Sequence, residues 1–384
     1  MTLTLQDVTS KIGSGATPRG GKSTYQEHGV AFIRSQNVLD LSVVDEGMAY
    51  IDDAAAHSLR GVTVEPGDVL VNITGDSVAR VAIWERPDEA RVSQHVAIVR
   101  PKPTVAVSRY LQYWLVAPAQ KSALLTLAAA GGSRPALTKG MLQQFPFGRH
   151  SLTEQRTIAE ILGALDDKIA ANRRVVARAL ALGEALVRAG DLVPRPLEEV
   201  ATIAMGASPR GELLNEEGAG IPFFQGVRDF GAVYPAKRVY TEHPVRIAPD
   251  GSVLLAVRAP VGKINLAVGD TAIGRGLASI ASDSRPATLF FAMKAFESVW
   301  DEFQGGGTVF ASVNGADVRS AMLPMPADSQ AVMSEERLSA LLKRAALAEV
   351  ETEALAATRD ELLPLLMSGA ITVKDAEKKA AQEV

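Results

Sequence analysis

"LQDVTSKIGSGATPRG" (residues 5–20) and "LEEVATIAMGASPRG" (residues 197–211) are one segment written twice, with a single gap. More pairs follow in the same order. "GVAFIRSQNV" from Gly29 matches "GIPFFQGVRD" from Gly220, and "GDVLVNITGDSVARVAI" from Gly67 matches "GSVLLAVRAPVGKINL" from Gly251. "QHVAIV" from Gln94 matches "RGLASI" from Arg275, and "RYLQYWL" from Arg109 parallels "LFFAMKAF" from Leu289. Last, "GGSRPALTKGMLQQFPF" from Gly131 parallels "GGGTVFASVNGADVRSAMLPMP" from Gly305. A single short match means little, but six collinear ones mean a duplicated unit. Each copy holds short β-rich runs ("VAFIRS", "DVLVNI", "HVAIV" in the first) punctuated by Gly, Pro and Asp, then an apolar helix. Each therefore reads as one α/β (α+β) domain, over residues 1–150 and 197–327.

A different kind of segment follows each copy. Residues 151–196 form a central spacer that opens on a capping box at Thr153. Its inward series Ile158, Leu162, Leu165, Ile169, Asn172, Val176, Ala179 alternates steps of four and three, the heptad period of a coiled-coil seam. Asn172 is the polar member suited to fixing register. Residues 328–370 form a distal spacer with Leu338, Leu341, Ala345, Ala348, Leu355 and Leu362 on one stripe, and residues 371–384 a tail. Two amphipathic helices, each lying on its own domain, would also satisfy the pattern. Helices of roughly 35–40 residues span ~50–60 Å, more than one such domain covers, so the reading is two helices paired with each other.

From Ala16 the chain also reads A-x-x-x-x-G-K-S, a relaxed P-loop. A working P-loop needs a buried strand before it and a helix N-terminus after it. Here "DVTSKIGSG" precedes and "TYQEHGV" follows, and the repeat partner keeps "GASPRG" while dropping "GKS". The nucleotide match is coincidental. "FQGGG" at 303–307 resembles the F-x-G-x-G loop of methyltransferases, but it follows a helical run, and no D/N-P-P-Y/F tetrapeptide occurs. No nucleophile elbow, spaced acid pair or metal cluster appears, so no catalytic and no metal-ligating residue is assigned.

Composition agrees with a soluble globular chain of 384 residues, 47% hydrophobic and 22% charged. Cysteine is absent, which excludes disulfides and thiolate sites and suits a reducing cytoplasm. The N-terminus has no basic start and apolar core, and no run of 18 apolar residues occurs, so neither a signal peptide nor a membrane span is expected. His28, His57, His95, His150 and His243 are scattered and read as surface or turn residues. Net charge is −4; residues 1–150 hold 15 basic and 13 acidic side chains, and residues 328–384 hold 7 and 11. Any nucleic-acid contact must come from locally placed arginines, not from a basic envelope.

Two domains that each begin "L-x-x-V…G-A-T/S-P-R-G", the motif "LTEQRTIAEILGALDDKIAANR" and the ending "RDELLPLLMSGAITV" together resemble the DNA-specificity subunit of Type I restriction-modification systems. The likeness runs over about residues 3–375, and "SEERLSALL" departs from the helix motif where "EQ" is expected. The resemblance implies two target-recognition domains on an antiparallel coiled coil with pseudo-two-fold symmetry, each domain reading half of a bipartite double-stranded DNA site. It implies two adenine methyltransferase subunits as partners, with restriction subunits in systems that carry them. S-adenosylmethionine, ATP and Mg would belong to those partners, with no cofactor and no catalysis in this chain. Candidate DNA contacts in the first domain are then Thr17, Arg19, Lys22, Ser23, Arg34, Gln36, Asn37, Arg80 and Arg134. In the second they are Ser208, Arg210, Gln225, Arg228, Arg258, Lys263, Arg275 and Thr308. Two other classes compete: a nucleotide- or methyl-donor-dependent enzyme, and a scaffold joining two proteins through duplicated modules.

Overall fold

The computed structural model describes residues 3–130, 134–148, 150–304 and 312–380. The chain divides into two units, residues 1–167 with 355–384, and residues 168–354.

In the first unit, Thr9–Ser14, Val96–Pro101, Asp68–Asn72 and Val81–Trp84 form an antiparallel sheet in that order. A second sheet runs Ala49–Ile51, Val30–Ile33, Ala90–Val92, Thr63–Val64, with Val30–Ile33 parallel to Ala90–Val92. Their aliphatic residues meet in one core of Ile33, Val64, Leu70, Val92, Val96 and Ile98, closed by Trp84. The helix Ser108–Val116 packs beside it through Tyr110, Leu111, Tyr113 and Leu115.

The second unit repeats this plan. Its antiparallel sheet runs Thr202–Met205, Leu277–Ala281, Val253–Ala256, Ile264–Leu266. Its mixed sheet runs Tyr240–Thr241, Ile221–Phe224, Thr271–Ile273, Ile247–Ala248, again with one parallel pair. The helix Pro286–Ala295 takes the place of Ser108–Val116. Matched segments of sequence have become matched strands in the same order. Because nearly all pairings are antiparallel, each domain is α+β in the strict sense.

The helix Leu152–Arg188 starts in the first unit and ends in the second, and Ala331–Ser368 makes the return passage. In the second unit Ile169, Asn172, Val176 and Ala179 are buried, as are Leu338, Ala345 and Ala348, while Leu341 is half-buried. Asn172 Nδ2 donates to Glu351 Oε2 at 2.7 Å, and Lys168 Nζ lies 3.1 Å from Glu351. Leu186 and Val187 share a cavity wall with Ser334 and Leu338. Late residues of one helix thus face early residues of the other, so the pair is antiparallel. In the first unit Ile158, Leu162, Leu165, Leu355 and Leu362 are buried, and Arg359 Nη1 donates to Asp166 Oδ1 at 2.7 Å.

Each unit ties its helix to its domain, the first with residues of the recognisable helix motif. Gln155 is buried; its Oε1 accepts from Val107 N at 3.1 Å, at the start of Ser108–Val116, and its amide donates to Val105 O and His150 O. Tyr113 OH donates to Asp166 Oδ2 at 2.6 Å, and Arg109 bridges Asp167 and Glu85. Burial, with the Asp166 carboxylate beside it, holds the Tyr113 phenol far above its ordinary pKa, so it remains a donor. In the second unit the departing "SEER" supplies Glu335, whose carboxylate accepts from Ala287 N (3.0 Å) and Thr288 N (2.8 Å) at the start of Pro286–Ala295. Both side chains cap the first turn of the equivalent helix, where unpaired N–H groups and the positive end of the dipole need an acceptor.

Three sequence expectations change. The capping box of the central helix is Ser151 with Glu154, not Thr153: Ser151 N donates to Glu154 Oε2 at 2.8 Å and Glu154 N to Ser151 Oγ at 3.3 Å. Leu192–Pro196, counted above with the spacer, is a strand paired with Met322–Pro326, so the second domain starts before residue 197. Its "LVPRP" hides the strand signal, since proline donates no hydrogen bond and suits only a short edge ribbon. The tail holds a helix, Val373–Ala380, capped by Thr372 and Asp375.

Candidate nucleic-acid interface

In the first domain, five chain segments are stitched together at one edge of the two sheets. Gly15 N donates to Val96 O (2.8 Å), Ala16 N to Val92 O (3.0 Å) and Ser93 N to Ile33 O (2.9 Å). Ile73 N donates to His95 O (2.9 Å) and Leu137 N to Ile73 O (2.8 Å). The second domain repeats the same bonds one for one. Gly206 N reaches Leu277 O (2.9 Å), Ala207 N reaches Ile273 O (3.0 Å) and Gly274 N reaches Phe224 O (2.8 Å). Val257 N reaches Gly276 O (2.9 Å) and Val313 N reaches Val257 O (3.0 Å). The approach is so close that a Cβ on Gly15 would lie 2.1 Å from Val92 O, and one on Gly206 2.2 Å from Gly274 O. That requirement keeps glycine at the head of "GATPRG" and "GASPRG".

The shared turn is therefore a scaffold piece, and this settles the P-loop question. Thr9–Ser14 is an edge strand, and only a four-residue 3-10 turn, Gly21–Thr24, follows. Ser23 Oγ and Thr24 Oγ1 bond back to Gly20 O and Gly21 O, each at 2.8 Å, and Lys22 is exposed. No helix N-terminus stands there to receive a phosphate.

The candidates divide by what already holds them. Thr17, Arg19, Lys22, Ser23, Gln36 and Arg134 are exposed, and Arg80 is half-buried. Arg34 is engaged locally, its guanidinium over the Tyr25 ring at 5.4 Å and bonded to Gly47 O, which Gln36 Nε2 also reaches at 3.2 Å. Asn37 is buried and used within its own loop, accepting from Arg34 N and donating to Val44 O and Glu46 O, so no free polar edge remains for a ligand. In the second domain Ser208 Oγ donates to Gln225 Oε1 at 2.8 Å and sits 3.2 Å from Arg275 N, which draws three candidates together. Arg228, Arg258 and Arg275 are exposed, with no ion pair among the described residues. Arg210 lies 3.4 Å from Glu212, both exposed. Lys263 is held by Glu297 at 2.6 Å beside a groove lined by Arg173 and Glu349. Thr308 lies outside the described residues.

Three residues at this edge carry polar groups that single-residue reading passed over: Thr74, Gln94 and His95. Thr74 Oγ1 is 2.6 Å from His95 Nδ1, and Gln94 Nε2 is 3.1 Å from His95 Nε2. The repeat alignment held the signal, since it sets Gln94 opposite Arg275. The paired bonds to Ile73 and Val257 set Thr74 opposite Arg258.

Among the described residues no group of three or more His, Asp or Glu stands ready for a metal ion, and no helix is long and apolar enough to cross a membrane. Residues 1–178 match the family described as "Type I restriction modification DNA specificity domain". The chain is 26% identical over 399 residues to the "Putative type I restriction enzyme MjaX specificity subunit" of Methanocaldococcus jannaschii, covering 96% of this chain and 93% of that one. Among solved structures it is similar to a Type I restriction-modification S subunit from M. genitalium, with a TM-score of 0.59, 13% identity and 96% of each chain covered. An HsdS subunit from Thermoanaerobacter tengcongensis matches at TM-score 0.36 and 23% identity, with 96% of each chain covered.

Proposed function

We propose that this chain, whose residues 1–178 match the Type I restriction modification DNA specificity domain, is the non-catalytic specificity subunit of such a complex. Each α+β domain is a target-recognition domain that reads one half of a bipartite, asymmetric site on double-stranded DNA. The two readers are joined in one chain through the antiparallel helix pair, and two such readers suit half-sites about one helical turn (~34–36 Å) apart with an unread gap. The chain delivers two adenine methyltransferase subunits to that site in the cytoplasm, and restriction subunits where the system has them. S-adenosylmethionine, ATP and Mg serve those partners.

One observation carries this reading: a single loop framework is built twice, bond for bond, and bears different side chains each time. A reader of two different half-sites requires that divergence over a common framework. The test is a chimera in which residues 191–327 are replaced by the matching domain of a relative, followed by mapping of methylated adenines across the genome. One half-site should change and the other persist. A change in both, or a continuous site, would sink the two-reader reading.

A further inference from the structure

The turn joining the parallel-paired strand to the next antiparallel strand occupies the centre of each stitched edge. In the first domain it is Ser93–Gln94–His95, and in the second Gly274–Arg275–Gly276. Its main chain is clamped from several sides: Ser93 N by Ile33 O, His95 O by Ile73 N, and the flanking Val92 O and Val96 O by Ala16 N and Gly15 N. Base reading needs side chains held to within about 0.5 Å, and a turn fixed on three sides supplies that rigidity where an open loop tip does not. Resting on the specificity reading above, we infer that this turn is the base-reading element of each domain, with Gln94 selecting an adenine and Arg275 a guanine.

The chemistry follows from the groups presented. Arg275 is exposed and free of ion pairs among the described residues, while Ser208 Oγ holds its backbone N–H at 3.2 Å. A fixed guanidinium fork matches guanine O6 and N7. Gln94 is exposed too, and its amide is oriented by its neighbour. With Gln94 Nε2 donating to His95 Nε2 (3.1 Å), the imidazole proton lies on Nδ1 and goes to Thr74 Oγ1 (2.6 Å). One amide hydrogen is then used, leaving the other N–H and Oε1 as a donor–acceptor pair. That pair complements adenine N7 and the N6 amino group. His95 and Thr74 are thus positioning residues, and in the second domain their places are taken by Gly276 and Arg258.

The test uses the full-length chain and a duplex DNA library with randomised positions, sequencing the bound fraction at one fixed salt concentration. Arg275→Gln should convert one G·C preference in one half-site to A·T, and Gln94→Arg should do the reverse in the other. Each alanine variant should lose roughly 5- to 150-fold of discrimination at that one base pair and leave other positions intact. His95→Ala should blur the Gln94 position without moving the second half-site. Thermal unfolding matching the wild type confirms that each variant is folded, and the exposed Gln and Arg exchanges secure a folded protein. If the wild type selects a bipartite sequence and the exchanges select the same one, the turn is not the reader, although the specificity reading stands. Uniformly weaker binding with unchanged preferences marks a phosphate contact and overturns the assignment. If the wild type selects no sequence, the specificity reading fails first and this inference with it.

Discussion

The two α+β domains share strand order, the parallel pair within the mixed sheet, and the backbone bonds of the stitched edge, yet several side chains that leave that edge differ. Thr74, Gln94 and His95 stand in the first domain where Arg258, Arg275 and Gly276 stand in the second. The segment after the second strand also diverges. In the first domain it is a hairpin, Val38–Leu39 with Ser42–Val43, tied by Asp40 to Lys121. In the second it is a turn whose N–H groups at Ala232, Val233 and Tyr234 all donate to Glu349 of the distal helix. Backbone bonding survives duplication because any residue with an N–H and a C=O can maintain it. Side chains outside the core carry no such constraint and are free to take on a second address.

If the helix seam is the common support of both domains, damage there should give the largest effect. Ile169 is 2% exposed, and Ile169→Asp puts an unpaired carboxylate into an apolar seam, at a cost of about 4 kcal/mol or more. Thermal unfolding should show a large fall in melting temperature, and partner assembly should fail with it. An unchanged melting curve would remove the seam from the account.

The two helix caps sharpen the comparison at intermediate size. Gln155→Ala leaves Val107 N, Val105 O and His150 O without their partner in a buried place and should cost about 2–3 kcal/mol. Glu335→Ala loses the equivalent cap on Ala287 N and Thr288 N and should cost about 1–2 kcal/mol. Glu335→Gln, which installs the first unit's residue type, should cost less than the alanine change. Equal losses from Gln and Ala in denaturant unfolding would mean that the two caps are not equivalent.

The smallest expected effect separates the polar contacts of the helix pair. Hydrogen bonds from Asn172 and then Lys168 hold the Glu351 carboxyl below its ordinary value of 4.5. A lowered folded-state pKa adds stability that is complete above the unfolded value and is lost as pH falls through the folded one. Stability should therefore decline slightly as pH drops below 4.5, and Glu351→Gln should flatten part of that decline. Acid unfolding curves that superimpose for both proteins would show that the Asn172–Glu351 contact contributes nothing there.

Much of this architecture was legible in the residues. The four-three spacing of Ile158, Leu162, Leu165, Ile169, Asn172 and Val176 foretold a buried stripe, and all six are buried. The P-loop was dismissed on context, and the edge strand and short turn agree. Harder to see were the strand inside "LVPRP", the true cap at Ser151, and the jobs of Gln155, Asp166 and Asp167, whose partners lie far along the chain. Among the candidate contacts, Asn37 carries the right chemistry for DNA but is buried and bonded within its own loop, while Lys263 sits in an exposed ion pair with Glu297.

Periodicity and duplication are properties of order along the chain, so the sequence by itself determined two like domains and two long helices. Which polar groups remain free is a property of approach in space. A hydrogen bond between Thr74 and His95, or an ion pair between Lys263 and Glu297, depends on where segments well apart in the chain come to rest. Only the tertiary structure decided that, because a polar group satisfied within the protein has little left to offer a ligand, and satisfaction is settled by neighbours that the linear order does not name.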